Sequence, residues 1–179
     1  MGIQFSERWD QYGIIAELAV RLKDVSPQFG KTVLQKMIYI LQEVYEIPCD
    51  YEYVLYNYGP YSGDLAKDLS FFASMDGVKV EWSQNLGYKI QPVAKTDHFR
   101  QRAQEFLNKY DVKIGEAIDI FGRMTARELE LRSTIIYVAK ESSMDNKTMI
   151  SRVYEIKPHF SPEEIGSAIE QLAAINILN

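Results

Sequence analysis

Apolar residues recur at helical spacing early in the chain. Ile14, Ile15, Leu18, Ala19 and Leu22 share one side of a helix predicted from about Ser6 to Asp24, which Ser26-Pro27 ends. A second helix is expected from Gly30 to about Tyr45. Val33, Leu34, Met37, Ile38, Ile40, Leu41 and Val44 cover one wide face, and Gln35, Lys36, Gln42, Glu43 and Glu46 the other. Tyr39 falls among the polar positions, which predicts a tyrosine that is exposed or covered by something outside the helix.

Pro48 stops this helix, and the period then changes to two. Tyr51, Tyr53 and Leu55 point one way and Glu52, Val54 and Tyr56 the other, the pattern of a short aromatic strand. Gly59-Pro60 reads as a turn. Ser62 is placed to cap a third helix from about Gly63 to Met75, with Leu65, Leu69, Phe72 and Ala73 as its buried stripe. Val78, Val80 and Trp82 alternate with Lys79, Glu81 and Ser83. After Gln84-Asn85-Leu86-Gly87, Tyr88 and Ile90 alternate with Lys89 and Gln91, which predicts a β-hairpin.

From about Thr96 only helices are predicted. One spans Asp97 to Tyr110 and a short one Ile114 to Phe121. A third, running to Lys140, opens on the capping box Thr125 to Glu128. A fourth, to Glu155, is capped by Asp145. Ser161-Pro162-Glu163-Glu164 is the clearest start signal, with a cap, a proline at the first helical position and acids in the first turn; its helix runs to about Ile175. The expected fold is α+β and mostly helical. A winged-helix-like half with a small antiparallel sheet fills residues 1–93, and a helical subdomain, 94–179, packs against it.

Composition narrows the functional classes. Hydrophobic content of 46% and charged content of 25% are those of an ordinary globular protein. A formal net charge of -5 works against broad, non-specific nucleic-acid binding. Cys49 is the single cysteine, which excludes an internal disulfide and suits a reducing compartment. His98 and His159 are the only histidines and have no ligand spacing, so no metal site and no cofactor are expected. Glu7, Arg8 and Asp10 interrupt any signal-peptide pattern, and no apolar run is long enough for a membrane span; a cytoplasmic protein is expected. Homo-oligomerisation through the C-terminal helices has no direct sequence sign.

The candidate chemistry is sparse. Six tyrosines (Tyr45, Tyr51, Tyr53, Tyr56, Tyr58 and Tyr61) crowd around Gly59-Pro60. A large ring with a polar tip suits a contact surface, although about half of the six are expected in or near the core. A winged helix would read DNA with its third helix, yet this one offers Asp64 and Asp68 against Lys67 and has no arginine. The arginines Arg100, Arg102, Arg123, Arg127, Arg132 and Arg152 lie in the helical half among acids. Catalysis lacks a nucleophile–base pair. His98 and His159 sit in polar surroundings near helix starts, and Asp50 beside Cys49 disfavours a reactive thiolate.

One combination of motifs resembles a known family. Leu34, Gln35, Lys36 and Tyr39 on a helix, then an aromatic strand, then Tyr58-Gly59-Pro60, is similar to the Panacea antitoxin domain, which includes SocA-like proteins. It also looks like the YwgA-like proteins of bacteria and archaea, which the long helical half fits better. The resemblance covers residues 30–69 well and the hairpin loosely. It implies a non-enzymatic role: an antitoxin-like module that binds another protein, a toxin being one candidate, or an adaptor for proteolysis. On this reading Lys36, Tyr39, Tyr56, Tyr58, Tyr61 and Asp64 contact the partner, while Gly59, Pro60 and Ser62 shape the turn. The alternative is a winged-helix DNA-binding transcription regulator.

Overall fold

The helix α1, Trp9–Leu22, is buried on nearly every side, because Tyr12, Ile14, Ile15, Ala16, Leu18, Ala19 and Leu22 leave little of it polar. The computed structural model describes residues 8–178, so the expected helix start at Ser6 lies outside the described residues. One charged residue, Glu17, accompanies α1 inward with partners. Glu17 is held by Arg100 at 2.6 Å and approached by Arg21 at 3.6 Å. Gly13 permits a close crossing: a methyl there would sit 2.1 Å from the Ala103 Cβ.

Lys31–Glu43 forms α2. β1, Val54–Tyr56, pairs antiparallel with β2, Gly59–Tyr61, in the register Tyr56 opposite Gly59 and Val54 opposite Tyr61. Gly63–Ser74 forms α3. β3, Val78–Ser83, pairs antiparallel with β4, Gly87–Pro92. Five helices follow: α4, Thr96–Arg102; α5, Gln104–Phe121; α6, Ala126–Glu141; α7, Asn146–Ile156; and α8, Pro162–Ala174. The described residues are mostly helical, 61%, with two small antiparallel sheets.

Three expectations need correction. The expected single small sheet is two separate two-stranded sheets. The Gly59-Pro60 turn is instead the start of β2, and Asn57 and Tyr58 make the turn. Gly59 still carries the turn's backbone demand, with φ at 87°. The helical break expected between Tyr110 and Ile114 falls at Ala103 instead, where φ is -97° and ψ 15°. Nothing in Asp111-Val112-Lys113 opposes a helix, and Lys113 donates to the Tyr45 carbonyl at 2.7 Å while Asp111 accepts from Arg21 at 3.1 Å. The break is placed where α1 presses on Ala103.

The caps appear where sequence placed them. Thr125 and Ser161 each close a capping box with Glu128 and Glu164, and Asp145 accepts from the Thr148 amide at 2.7 Å. The two halves share one apolar core. α1 packs on α4 and α5, α2 on α5 and α6, and β2 lies on α6. The β3–β4 hairpin is tied to the segment before α2 by the Ile90 amide, which donates to the Phe29 carbonyl at 2.7 Å.

Candidate functional site

The tyrosine-rich segment between α2 and α3 is held from behind by side chains of α2. Gln42 brackets Tyr51, donating to its carbonyl and accepting from its amide, both at 2.9 Å. Seven residues earlier, Gln35 brackets Ser62 in the same way, again at 2.9 Å in each direction. Two helical turns separate the two glutamines on one face, so α2 offers the extended chain a pair of amide partners at fixed spacing. Lys36 adds a third tie by donating to the Pro60 carbonyl at 2.7 Å. The polar face of α2 is therefore not a solvent face: Gln35 and Lys36 are buried.

Burial along the segment alternates as the sequence pattern predicts. Tyr51 is buried, Tyr53 and Leu55 are half-buried, and Glu52, Val54 and Tyr56 are exposed. Tyr51 donates its hydroxyl to Asp68 at 2.8 Å, and Arg8 reaches the same carboxylate, so Asp68 is an inner anchor of α3 rather than a surface acid. Tyr56 and Tyr58 are 60% and 66% exposed, and Tyr61 projects beside Tyr56 with ring centroids 5.7 Å apart.

Lys36, Tyr56, Tyr58, Gly59 and Tyr61 line one groove of about 260 Å³ between α2 and α3, with Leu34, Leu65 and Leu69 supplying apolar wall. Pro60 is buried at the edge of the hairpin. Asp64 is exposed, pairs with Lys67 at 3.0 Å and does not line the groove. Ser62 caps α3, its hydroxyl accepting from the Leu65 amide at 3.3 Å. Ser62→Ala is expected to lower stability by about 1 kcal/mol, read from the urea midpoint. Loss of partner binding at unchanged stability would instead give the hydroxyl a contact role.

Burial removes Tyr39 from the expected contact surface and changes the place of Lys36, which lines the groove from within. Tyr39 is 2% exposed, with its ring edge-on to Tyr53 at 4.9 Å and near Tyr137 of α6 at 6.3 Å. Burial raises its phenol pKa. The helical half covers it, which the local pattern on α2 could not reveal. Lys36 is also 2% exposed and is not a flanking surface charge.

Behind the hairpin lies a charged cluster that sequence reasoning missed. Glu130 of α6 is buried, with Oε1 3.0 Å from Lys157 Nζ and 3.2 Å from His159 Nε2. Glu130 Oε1 is out of hydrogen-bonding line with both, so the Lys157 contact is an ion pair without a hydrogen bond. Buried Lys157 donates to the carbonyls of Tyr56, at 3.1 Å, and Asn57. Thus two lysines, from α2 and from the chain after α7, grip the carbonyls of one hairpin. A Cβ at Gly59 would meet Thr134 Oγ1 at 3.0 Å and the Glu130 carbonyl at 3.3 Å, so the hairpin sits hard against α6. No local signal marks Glu130, inside a helix, or Lys157, just past the end of one, and only the packing of α6 and the end of α7 against the hairpin brings them together.

Burial pushes the Lys36 ammonium down to about 7, against the pull of Glu130 and with Lys157 adding to the push. In the unfolded chain the same group titrates near 10.5. Between these values the unfolded state binds more protons, so the Lys36 contribution makes stability rise with pH from about 7 to 10. Lys36→Met is expected to flatten that rise in thermal melts. Equal slopes in both proteins would show an unperturbed ammonium. Elsewhere, burial and neighbouring Asp50 push the Cys49 thiol up to about 12, which keeps it protonated at neutral pH.

Among the described residues, no three of His, Cys, Asp or Glu gather in a way that could hold a metal ion. No described helix is long and apolar enough to cross a membrane. In comparisons with known proteins, no family model and no curated sequence matches the chain.

Proposed function

We propose that this protein works by binding another protein through the tyrosine-rimmed groove between α2 and α3, as an antitoxin-like or adaptor module. The observation that carries this reading is the contrast between the exposed rings of the β1–β2 hairpin and its held backbone. Tyr56 and Tyr58 stand exposed, while Lys36 and Lys157 hold the hairpin carbonyls and Gln35 holds Ser62 just after it. Aromatic side chains on a backbone fixed before contact lose little freedom on binding, which favours their use as interface anchors. The resemblance to Panacea and YwgA-like proteins rests on the same segment and points the same way.

A winged-helix regulator is the second reading. The order α1, α2, α3 and then the β3–β4 hairpin, with the Phe29–Ile90 hydrogen bond beside it, supports a winged-helix-like first half. Charge opposes a DNA-reading use of it. Lys67 of α3 is paired with Asp64, Lys79 of β3 with Glu81 and Lys95, before α4, with Asp76, which leaves Lys89 as the hairpin lysine without a carboxylate partner among the described residues.

A pull-down from native lysate with Tyr56→Ala plus Tyr58→Ala as control separates the two. Both side chains are exposed, so circular dichroism should not change. A partner protein retained by the wild type is expected to bind the double variant at least about thirtyfold more weakly. Nuclease-sensitive DNA retained equally by both proteins would sink the protein-binding reading and favour the regulator.

A further inference from the structure

The groove has a charge pattern opposite to that of the chain. The whole sequence holds 25 acids against 20 lysines and arginines. Yet the groove is lined by Lys31 and Lys36 and by no carboxylate. The adjoining depression beyond Tyr58, toward the β3–β4 loop, is lined by Lys31 and Arg127, again with no carboxylate. Arg127 is already engaged by Glu164 at 2.7 Å and adds little. Lys31 has no ion pair among the described residues; its ammonium rests 3.7 Å from the Tyr88 ring centroid.

Lys36 is the more informative of the two. An ammonium has three N–H groups, and one hydrogen bond, to Pro60, accounts for one of them. The acid that pulls on it, Glu130, is shared with Lys157 and His159. With both lysines protonated, Lys36, Lys157 and Glu130 carry a net positive charge in a buried place, which an anion at the groove would offset. α2 adds to the same field: Gly30 gives it no side-chain cap, and its first turn holds no acid.

We propose that the groove takes an acidic side chain from an extended segment of the partner protein, with Lys36 and Lys31 as its counter-charges. A bulky apolar neighbour of that acid rests against Leu34, Leu65 and Leu69 inside the tyrosine rim. This rests on the protein-binding reading above. A volume of about 260 Å³ fits such a pair of side chains better than a whole small-molecule ligand. Three tyrosine hydroxyls at the rim supply further donors.

The test is a random-peptide display selection on the full chain. The enriched sequence is then synthesised with a fluorescent label, in its own form and with Gln or Asn in place of the acid. Anisotropy is measured with the wild type, Lys36→Met, Lys31→Gln and Tyr56→Ala plus Tyr58→Ala, each checked by thermal melting. The expected consensus holds Asp or Glu beside Phe, Leu or Trp. Neutralising the peptide's acid, or Lys36→Met, is expected to weaken binding roughly tenfold or more. Lys31→Gln is expected to weaken it a few-fold and to reduce its salt dependence. This exposed position keeps the test valid if Lys36→Met folds poorly.

A consensus without an acid, indifferent to both lysine variants but lost in the tyrosine variant, overturns the carboxylate assignment and leaves the protein-binding reading standing. No enrichment, or peptides that ignore the tyrosines as well, overturns both. A duplex oligonucleotide that binds the wild type and is lost in Lys36→Met assigns the cations to nucleic acid and overturns it too.

Discussion

Glu130→Ala is expected to lower the stability of the folded protein by about 3–5 kcal/mol, because it leaves buried charge without a counter-ion. Lys157 would keep only the carbonyls of Tyr56 and Asn57, and Lys36 would lose the one acid that opposes its deprotonation. For a chain of this length that corresponds to a fall in melting temperature on the order of 10 °C. The loss comes from the stranded lysines and not from the missing carboxylate itself. A double variant, Glu130→Met with Lys157→Met, is therefore expected to recover a large part of it. Water can reach the carbonyls that Lys157 releases, since Tyr56 and Asn57 are exposed. Thermal melts of the three proteins decide the matter. A loss under about 1 kcal/mol for Glu130→Ala would mean that the cluster is solvated and uncoupled.

Tyr39→Ala is the second large effect, again at about 3–5 kcal/mol, and it is one of stability rather than of binding. The ring fills space among Tyr53, Tyr137 and the α2 core, and removing it leaves a cavity where two halves of the chain meet. Tyr39→Phe keeps the ring and should cost no more than about 1 kcal/mol. Tyr56→Ala serves as the surface control and is expected to stay within about 0.5 kcal/mol. Urea denaturation with each variant measures the difference. If Tyr39→Ala lost partner binding while keeping the wild-type midpoint, Tyr39 would return to the contact surface.

The lysine beneath the hairpin shows how stability and binding can pull apart. A methionine at position 36 would remove a charge that burial disfavours, at the loss of one hydrogen bond to Pro60. The carboxylate proposed for the groove would offset that desolvation.

What could be read locally was read correctly where a local cause was sufficient. Thr125, Asp145 and Ser161 each cap their own helix within three residues, and the capping geometry needs nothing from the rest of the chain. Burial alternates from Tyr51 to Tyr56 as the sequence pattern predicts, but the paired strand is shorter than expected, Val54–Tyr56, and Tyr51 and Tyr53 lie before it. The β3–β4 hairpin followed from its own pattern and turn.

Long-range packing decided the rest. The sequence marked Gln35, Lys36 and Tyr39 as polar-face residues of α2, and on an isolated helix they would face water. In the folded chain β2 and α6 close over that face, turning two of these residues into backbone clamps and one into core. The break at Ala103 comes from the crossing of α1 beneath it, not from any residue that disfavours a helix. Glu130 and Lys157 lie 27 positions apart by numbering and become neighbours only when α6 and the end of α7 fold against the hairpin. The sequence by itself determined the helix caps, the β3–β4 hairpin and the exposure of Tyr56 and Tyr61, because these depend on residues within a few positions of one another. Tertiary structure alone decided where the buried charges meet and which polar face is hidden, because burial is set by what packs from elsewhere in the chain.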